Sequence, residues 1–209
     1  MATKTPLEGS IELILGPMFS GKTQELQRRL RRHKRANSKI VLLRPSTDNR
    51  QGTSPILTTH DKDGGHMKGT FVDAHGLLSF KIPDGTSVIG IDEGQFFFDM
   101  VDFCFRKAKE GYIIIVAALD SDYLCRPFTL ENTHRITDLV AYASKVDKLC
   151  SVCKICHKDA PFSRRLGDET GTVLTGGDGN YIAVCLKCYF LPIDIVKESL
   201  PNLINDDDE

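Results

Sequence analysis

The first two thirds of the chain alternate between short runs of consecutive apolar residues and longer stretches that mix apolar and charged positions. The apolar runs have the length of buried strands, and they predict strands at 11–15, 39–44, 69–73, 87–91 and 112–119. The mixed stretches predict helices at 24–36, 95–110 and 136–143, with a short helix at 74–80. Strands that are apolar throughout and alternate with helices are typical of a parallel sheet covered on both faces.

Two regions depart from this alternation. The segment 47–66 is polar and rich in glycine, so we expect a mobile loop there. Beyond residue 148, cysteine pairs, glycines and short strand-like runs replace the long periodic elements. We therefore expect a main domain over 1–148, a small lobe over 149–192 and a disordered C-terminal tail over 193–209.

The junction between the first predicted strand and the first predicted helix carries a phosphate-binding sequence. It reads G-P-M-F-S-G-K-T and fits the G-x-x-x-x-G-K-[ST] pattern of the P-loop. Glycines let the main chain curl so that several N–H groups face one anion, and the following helix adds its positive end. A glycine turn with a chance lysine is the alternative, which the flanking strand and helix disfavour. The candidate nucleotide-binding residues are Gly16, Pro17, Met18, Phe19, Ser20, Gly21, Lys22, which can reach the β- and γ-phosphates, and Thr23, which can bind Mg²⁺.

An acidic pair, Asp92 and Glu93, directly follows the apolar run at 87–91. The carboxyl ends of parallel strands share one edge of a sheet, so we expect Gly16, Asp92 and Asp120 to lie along that edge. An aspartate at this position in P-loop enzymes helps to hold Mg²⁺. Glu93 is then placed to orient a hydroxyl and to accept its proton. An acidic turn without chemistry is the alternative.

Cysteine spacing predicts a metal site in the second region. Of seven cysteines, Cys153 pairs with Cys156 and Cys185 with Cys188 in two Cys-x-x-Cys sequences. Two such pairs in a short region are typical of a tetrahedral structural zinc site, which would stabilise a lobe that lacks core. Cys150 and His157 also lie within ligand spacing, so spacing alone does not select the four ligands, and ordinary buried cysteines are the alternative. Packing is expected for the two cysteines without a partner pattern, Cys104 and Cys125.

Charge and hydropathy limit the kinds of partner that we expect. The formal net charge is −1, so no overall basic field favours nucleic acid. The one basic run, at 28–35, fits a solvated helix face. No stretch approaches the ~20 apolar residues of a membrane helix, and the N-terminus has no signal core. We expect a cytoplasmic protein without membrane or nucleic-acid partners.

Taken in order, these motifs resemble those of the cytosolic, zinc-containing (type II) thymidine kinases. The resemblance runs from Ser10 to Phe190 and implies an α/β fold, with a recombinase-like P-loop parallel sheet covered by helices and a small zinc-ribbon-like lobe. The motifs are the P-loop, I-D-E-G-Q-F-F at 91–97, V-A-A-L-D at 116–120, R-P-F at 126–128, the two cysteine pairs, and Gly176-Gly177 followed by Tyr181.

The resemblance also implies a reaction and a set of site residues. The reaction is transfer of the ATP γ-phosphate to the 5′-hydroxyl of thymidine, with deoxyuridine as a slower substrate. Catalysis would involve Glu93 as proton acceptor, Lys22 and Arg50. The ATP site would add Asp48, Arg50, Asp92 and Gln95 to the P-loop, and Thr23 and Asp92 would bind the magnesium. The thymidine site would comprise Met18, Phe96, Leu119, Tyr123, Phe128, Thr172, Val173, Leu174, Thr175, Gly176 and Tyr181.

Further implications of the resemblance concern metal, assembly and regulation. Zinc would bind Cys153, Cys156, Cys185 and Cys188, the assembly would be a homotetramer, and dTTP would inhibit by filling both substrate pockets. Phe98 stands where the family usually has proline, and 125–137 is only partly family-like. Core packing remains the alternative role for the aromatic residues, and a surface salt bridge for Arg50.

Two other classes of protein fit part of the pattern. A single-lobe P-loop ATPase acting on nucleic acid would also carry Asp-Glu after a strand and zinc knuckles. The length and the net charge of this chain argue against that class. A zinc-ribbon interaction module with a vestigial phosphate loop would not turn over ATP.

Overall fold

The computed structural model describes residues 8–46, 56–57, 67–129, 134–167 and 180–200 of the chain. Its strands are β1 (Ser10–Leu15), β2 (Ile40–Pro45), β3 (Ile56–Leu57), β4 (Met67–Lys68), β5 (Thr70–Val72), β6 (Val88–Ile91), β7 (Ile113–Ala118), β8 (Lys145–Lys148), β9 (Ser151–Val152), β10 (Asp159–Ala160), β11 (Phe162–Arg165) and β12 (Tyr181–Val184). Its helices are α1 (Lys22–Arg35), α2 (Met100–Lys109), α3 (Leu186–Tyr189) and α4 (Ile193–Glu198), with 3₁₀ helices at Gly94–Phe96 and Ile136–Tyr142. Among these described helices, none is both long and apolar enough to cross a membrane.

Six of the described strands form one parallel sheet in the order β5-β2-β6-β7-β1-β8. Leu15, at the end of β1, lies opposite Ala118 on β7 and Lys148 on β8. The segments that follow β1, β6 and β7 therefore leave the sheet along the same edge, where ligands bind in open α/β folds. The predicted α/β class with a parallel sheet is confirmed.

Helices cover both faces of this sheet because successive side chains of each strand point to opposite faces. On one face, Leu26 and Leu30 of α1 are fully buried against the strands. On the other face, α2 buries Phe103 in the larger apolar cluster. Gly90 on β6 permits the close approach of α1, since a Cβ at this position would lie 2.6 Å from Leu30 Cδ1.

The five predicted strands are confirmed to within one residue at each end, but the helix predictions need correction. The helix predicted at 95–110 begins only at Met100, because Phe97 is extended after the 3₁₀ turn at Gly94–Phe96. The segment 74–80 forms turns, and Gly76 within it has low helix propensity. The helix predicted at 136–143 is a 3₁₀ helix over Ile136–Tyr142, and its first two residues are β-branched.

Two strands, β8 and β3, are not predicted by the pattern of apolar residues. The strand β8 has the sequence K-V-D-K and lies at the edge of the main sheet, where charged side chains face solvent. The strand β3 pairs antiparallel with β4, and Ile56 lies opposite Lys68. Part of the loop predicted at 47–66 is therefore strand, and the rest of it lies outside the described residues.

We call the described residues from 149 to 200 the cysteine lobe, since their buried apolar residues from Cys153 onward form a cluster of their own. It contains the hairpins β9–β10 and β11–β12 together with α3 and α4. Val196 of α4 is fully buried in the apolar cluster of this lobe. The prediction of a disordered tail beginning at 193 is thus wrong for Ile193–Glu198, because this amphipathic helix buries one face; residues 201–209 lie outside the described part.

The basic run at 28–35 is only partly the solvated face that its composition predicts. Arg29 is just 6% exposed, since it shares the inward face of α1. Its guanidinium donates to Glu25 on the same helix at 2.8 Å, to Glu12 on β1 at 2.8 Å and to Asp147 on β8 at 2.5 Å. Arg29 therefore connects α1 to β1 and to the edge strand β8, and the three carboxylates compensate for its burial.

These ion pairs change the titration of the groups involved. Hydrogen bonds from Arg28 and, against the opposing effect of burial, from Arg29 lower the pKa of Glu25 from 4.5 to about 2. A carboxylate whose pKa is depressed by folding stabilises the fold above its unfolded pKa. The contribution of Glu25 is therefore present above about pH 4.5 and is lost as the pH falls toward 2.

We expect Arg29→Met to lower the free energy of unfolding by about 1–3 kcal/mol. The change leaves three carboxylates without their shared cation, and their partial exposure keeps the effect below that of a fully buried pair. Urea unfolding followed by circular dichroism measures it. Arg32→Met, on the exposed side of the same helix, is the control and should stay within about 0.5 kcal/mol of wild type. Equal effects of the two changes would contradict the role of Arg29.

Candidate active site

The loop between β1 and α1 curls tightly at the carboxyl edge of the sheet. Gly16 and Gly21 have positive φ angles of 148° and 78°, and Phe19 lies in the left-handed region with φ 63°. A Cβ on Gly16 would lie 2.6 Å from the carbonyl oxygen of Leu149, so glycine is required for close packing as well as for conformation. The curled backbone ends directly at the first turn of α1, as anion binding at a helix N-terminus requires.

Hydrogen bonds within the loop and from the cysteine lobe hold it in shape. The carbonyl of Pro17 accepts from the Ser20 hydroxyl at 2.9 Å and from the Lys22 ammonium at 2.5 Å. The backbone N–H of Met18 donates to the hydroxyl of Ser163 on β11 at 2.9 Å. The lysine that is predicted to contact phosphate is 9% exposed and lies across the loop.

Thr23 and Asp92, the two residues expected to bind magnesium, are in direct contact. The Thr23 hydroxyl donates to the two carboxylate oxygens of Asp92 at 3.0 and 3.3 Å. Asp92 is 2% exposed, and its N–H donates to the carbonyl of Leu43 on β2. A hydroxyl and a carboxylate side by side are ligands that Mg²⁺ prefers, so the residues fit the predicted ion.

Arg44 lies behind this pair and was not predicted as a site residue. It is 2% exposed, its Nε lies 4.0 Å from Asp92 Oδ2, and its guanidinium lies over the Phe71 ring at 5.6 Å. A buried cation near a buried carboxylate lowers the cost of keeping that carboxylate ionised. The only signal in the sequence is an arginine at the end of an otherwise apolar strand.

Glu93 and Gln95 follow Asp92 in a strained turn. Glu93 has φ 52° and ψ 42°, a left-handed conformation that is costly for a non-glycine residue and that is often found at functional sites. The Gln95 amide donates to Glu93 Oε2 at 2.5 Å and accepts from the N–H of Leu119 at 2.9 Å. Gln95 thus fixes the carboxylate of Glu93 relative to the end of β7.

Two of the predicted thymidine contacts belong to the edge of the main core. Phe96 and Phe128 form an edge-to-face pair with ring centroids 5.8 Å apart. Phe128 is 5% exposed, and Phe96 and Leu119 pack against the same apolar cluster. Core packing, the alternative for these aromatic residues, is therefore at least part of their role.

Arg165 of β11 contacts two other residues that were predicted to bind thymidine, although Arg165 itself was not predicted as a site residue. Its guanidinium lies 3.8 Å from the ring centroid of Tyr123 and 5.1 Å from that of Tyr181. Its Nε donates to the Tyr181 hydroxyl at 3.2 Å, so this hydroxyl acts as an acceptor here. Cation–π contacts of this kind hold aromatic rings in place. In the sequence, Arg165 is one of two adjacent arginines in a short strand, and nothing there distinguishes it as the one that contacts the tyrosine rings.

The loop that carries Tyr123 is organised by a buried aspartate and supported by the lobe. Asp122 is 6% exposed and accepts from the N–H groups of Leu124 and Arg126, both at 2.9 Å. The hydroxyl of Tyr189 on α3 donates to the carbonyl of Tyr123 at 2.9 Å. The position of Tyr123 therefore depends on contacts with the cysteine lobe.

The four cysteines of the two pairs converge in the lobe. The sulfurs of Cys153, Cys156, Cys185 and Cys188 all lie within 4.8 Å of one another, and the distance between Cys156 Sγ and Cys185 Sγ is 3.5 Å. Tetrahedral zinc with Zn–S bonds of about 2.3 Å places sulfurs about 3.8 Å apart, so the cluster fits a metal ion. Cys150 is exposed and lies outside the cluster.

Backbone hydrogen bonds favour the thiolate form of Cys153 and Cys185, whereas burial and the neighbouring sulfurs raise the pKa of Cys188 to about 12. Burial alone would raise the pKa of the Cys153 thiol, but hydrogen bonds from the backbone of Cys156, Cys185 and Ile155 lower it to about 6. The thiolate is the form that binds metal. Of the other cysteines, Cys104 is fully buried, as expected of a packing residue, and Cys125 is partly buried.

Several predicted site residues lie outside the described residues. They are Asp48, Arg50, Thr172, Val173, Leu174, Thr175 and Gly176.

In this structure a phosphate loop lies between a buried strand and a helix, and its threonine is hydrogen-bonded to an aspartate at the end of a second strand. These features define a P-loop nucleotide-binding protein. The sequence matches the model of one family, described as thymidine kinase, over residues 9–189. The chain therefore belongs to the thymidine kinase family. This membership confirms the resemblance and favours a kinase over an ATPase that acts on nucleic acid.

Curated relatives agree with this assignment. A thymidine kinase of vaccinia virus (strain Western Reserve) is 46% identical over 187 residues, and one of monkeypox virus is 49% identical over 181 residues. One of variola virus (isolate Human/India/Ind3/1967) is 47% identical over 187 residues. Each alignment covers 87% of this chain and 97% of the relative.

Proposed function

We propose that the protein transfers the γ-phosphate of ATP to the 5′-hydroxyl of thymidine and so produces dTMP. The observation that carries the proposal is the contact between Thr23 and Asp92 at the phosphate loop, with the carboxylate of Glu93 one residue further on. In this proposal a phosphate site, a metal site and a proton acceptor lie along one edge of the sheet. Membership of the thymidine kinase family supplies the substrate.

In this proposal the loop amides and Lys22 bind the triphosphate, and Thr23 and Asp92 hold Mg²⁺. When bound, the ion supplies positive charge that stabilises the transferring phosphoryl group. Gln95 keeps Glu93 in place through the hydrogen bond at 2.5 Å. Asp48 and Arg50, by their place in the family motif, would approach the same phosphates.

Glu93 orients the hydroxyl and takes its proton while the new P–O bond forms. An alcohol ionises near pH ~15 and a carboxylic acid near pH ~4, so complete deprotonation before attack would cost about 15 kcal/mol. A kinase that turns over at about 10 s⁻¹ has a total barrier of about 16 kcal/mol. Early deprotonation would use nearly all of that barrier, so positioning and charge stabilisation must supply most of the catalysis.

We place thymidine between the main sheet and the cysteine lobe. Tyr123, held between Arg165 and Tyr189, would stack on the base, and Met18 would contact its methyl group. Leu119, Phe96 and Phe128 would form the apolar wall of the pocket. The backbone of 172–176 would read the base edge, and Tyr181 would contact a substrate oxygen.

We assign residues 1–148 to nucleotide binding and the cysteine lobe to substrate binding. Zinc held by Cys153, Cys156, Cys185 and Cys188 would stabilise this lobe, since the lobe has only a small apolar cluster of its own. All four ligands come from the protein, so the site is structural and not catalytic.

We further propose a cytoplasmic homotetramer that is inhibited by dTTP. The edge strand β8 and the exposed rings of Phe105 and Tyr142, 5.0 Å apart, suit contact with a second copy. Since dTTP combines the thymidine and triphosphate moieties, it would fill both substrate sites at once.

A panel of radiolabelled nucleosides with Mg·ATP tests the proposed function. We expect thymidine to be phosphorylated and deoxyuridine to react with a kcat/KM lower by about 5- to 150-fold, since one methyl group is worth about 1–3 kcal/mol. Deoxycytidine should react more slowly still, because its amino group opposes an N–H donor. Equal kcat/KM for thymidine and deoxyuridine would contradict a contact with the methyl group. A comparable rate with deoxycytidine would contradict backbone readout of the base.

A further inference from the structure

The peptide unit between Pro17 and Met18 is held at both of its polar groups. Its carbonyl accepts from Ser20 and Lys22, which belong to the phosphate loop itself. Its N–H donates to the hydroxyl of Ser163, which lies 145 residues away on β11 of the cysteine lobe. The orientation of this peptide sets the direction in which the following loop amides point, so a residue of the lobe takes part in shaping the phosphate site.

Ser163 is well placed to transmit a constraint. It is 5% exposed, and it lies opposite Ala183 in the hairpin β11–β12. The carbonyl of Ala183 accepts from the N–H of Lys154, which follows the metal-site residue Cys153. Two residues after Ala183 comes Cys185, another member of the cluster. Strand pairing in this hairpin, together with the hydrogen bonds of Lys154 and Ser163, thus connects the cysteine cluster to the phosphate loop.

We infer that Ser163 is a positioning residue through which the metal-bound lobe holds the phosphate loop in its nucleotide-binding shape. This inference rests on the proposed function, because it assigns nucleotide binding to the loop and metal binding to the cysteines. The Met18 N–H donates to the Ser163 hydroxyl, so in this inference the N–H groups that follow it in the loop bind phosphate. Metal and nucleotide binding are therefore thermodynamically linked, and each stabilises the other by the same factor.

Kinetics give the first test. Ser163→Ala removes the acceptor of a partly buried N–H, and one hydrogen bond corresponds to roughly a two- to tenfold effect. We expect the KM for ATP to rise by this factor while kcat changes less. Ser163→Thr, which retains the hydroxyl, should restore most of the loss. Ser144→Ala is the matched control, because its hydroxyl bonds to Ile11 at the far end of β1. A fall in kcat with unchanged KM for ATP would overturn the assignment.

Metal release gives the second test and needs no turnover. The zinc-loaded protein is titrated with a chromogenic chelator, with and without saturating ADP, and the fraction of zinc released at equilibrium is read by absorbance. We expect ADP to lower the apparent zinc dissociation constant by about fivefold or more in wild type and in Ser144→Ala, and by much less in Ser163→Ala. An equal change in wild type and Ser163→Ala, or no change in wild type, would overturn the inference.

Two further measurements distinguish failure of the proposed kinase reaction from failure of the linkage between metal and nucleotide binding. Binding of a fluorescent ADP analogue and formation of dTMP are measured on the same samples. If ADP binds and strengthens zinc binding but thymidine is not phosphorylated, the proposed function fails and the linkage stands. If dTMP forms normally but ADP leaves the zinc affinity unchanged, the linkage fails and the kinase reaction stands.

Discussion

Glu93→Gln is expected to lower kcat by about 10²- to 10⁴-fold while the protein stays folded and binds ATP. Glutamine has the same size and still reaches Gln95, but it does not accept the proton of the attacking hydroxyl. The left-handed backbone of Glu93 is unchanged by this substitution, so the strain in the turn does not confuse the comparison. Steady-state kinetics with thymidine measure the effect, and thermal unfolding verifies the fold.

Glu110→Gln is the matched control for this change. Glu110 is an exposed carboxylate at the end of α2, paired with Lys107 and distant from the loop edge of the sheet. We expect its kcat to stay within about twofold of wild type, as for most surface changes. A Glu93→Gln enzyme as active as the Glu110→Gln enzyme would remove Glu93 from the mechanism.

Loss of metal from the cysteine cluster is expected to have the largest structural effect. Structural zinc binds with apparent free energies of about 10–16 kcal/mol, which is comparable with the whole stability of a domain. Cys185→Ser should therefore release the ion, unfold the lobe and reduce activity by more than about 100-fold, since Arg165 and Ser163 lie on the lobe. Zinc content by mass spectrometry and hydrogen exchange of the lobe amides measure the two steps.

Cys150→Ser is the control, since Cys150 lies outside the cluster and is exposed. It should retain one zinc per chain and nearly full activity. If Cys150→Ser lost zinc while Cys185→Ser kept it, the ligand set would be wrong. If both variants kept zinc, the cluster would not be the metal site.

The strands and the phosphate loop follow from local sequence, and for this reason they were predictable. Runs such as 112–119 are apolar at every position and have the length of a strand, as expected of a strand buried on both faces. The loop motif specifies its own conformation through Gly16 and Gly21. The contact between Thr23 and Asp92 could also be expected, because the ends of parallel strands meet at one edge.

The remaining features depend on partners far away in the sequence. Arg29 resembles its exposed neighbours until Glu12 and Asp147 are placed beside it. Ser163 and Arg165 gain their significance only from the packing of the lobe against the loop and Tyr123. Helix boundaries failed where a single extended residue, Phe97, interrupts a segment of suitable composition.

The central claim is that the phosphate loop and Glu93 direct the γ-phosphate to a nucleoside hydroxyl and not to water. Phosphorus NMR of the purified protein with Mg·ATP and thymidine tests it most directly, because ADP, dTMP and inorganic phosphate are resolved in one spectrum. We predict equal amounts of ADP and dTMP with little inorganic phosphate. Release of ADP and inorganic phosphate without dTMP, whether or not single-stranded DNA accelerates it, would contradict the account.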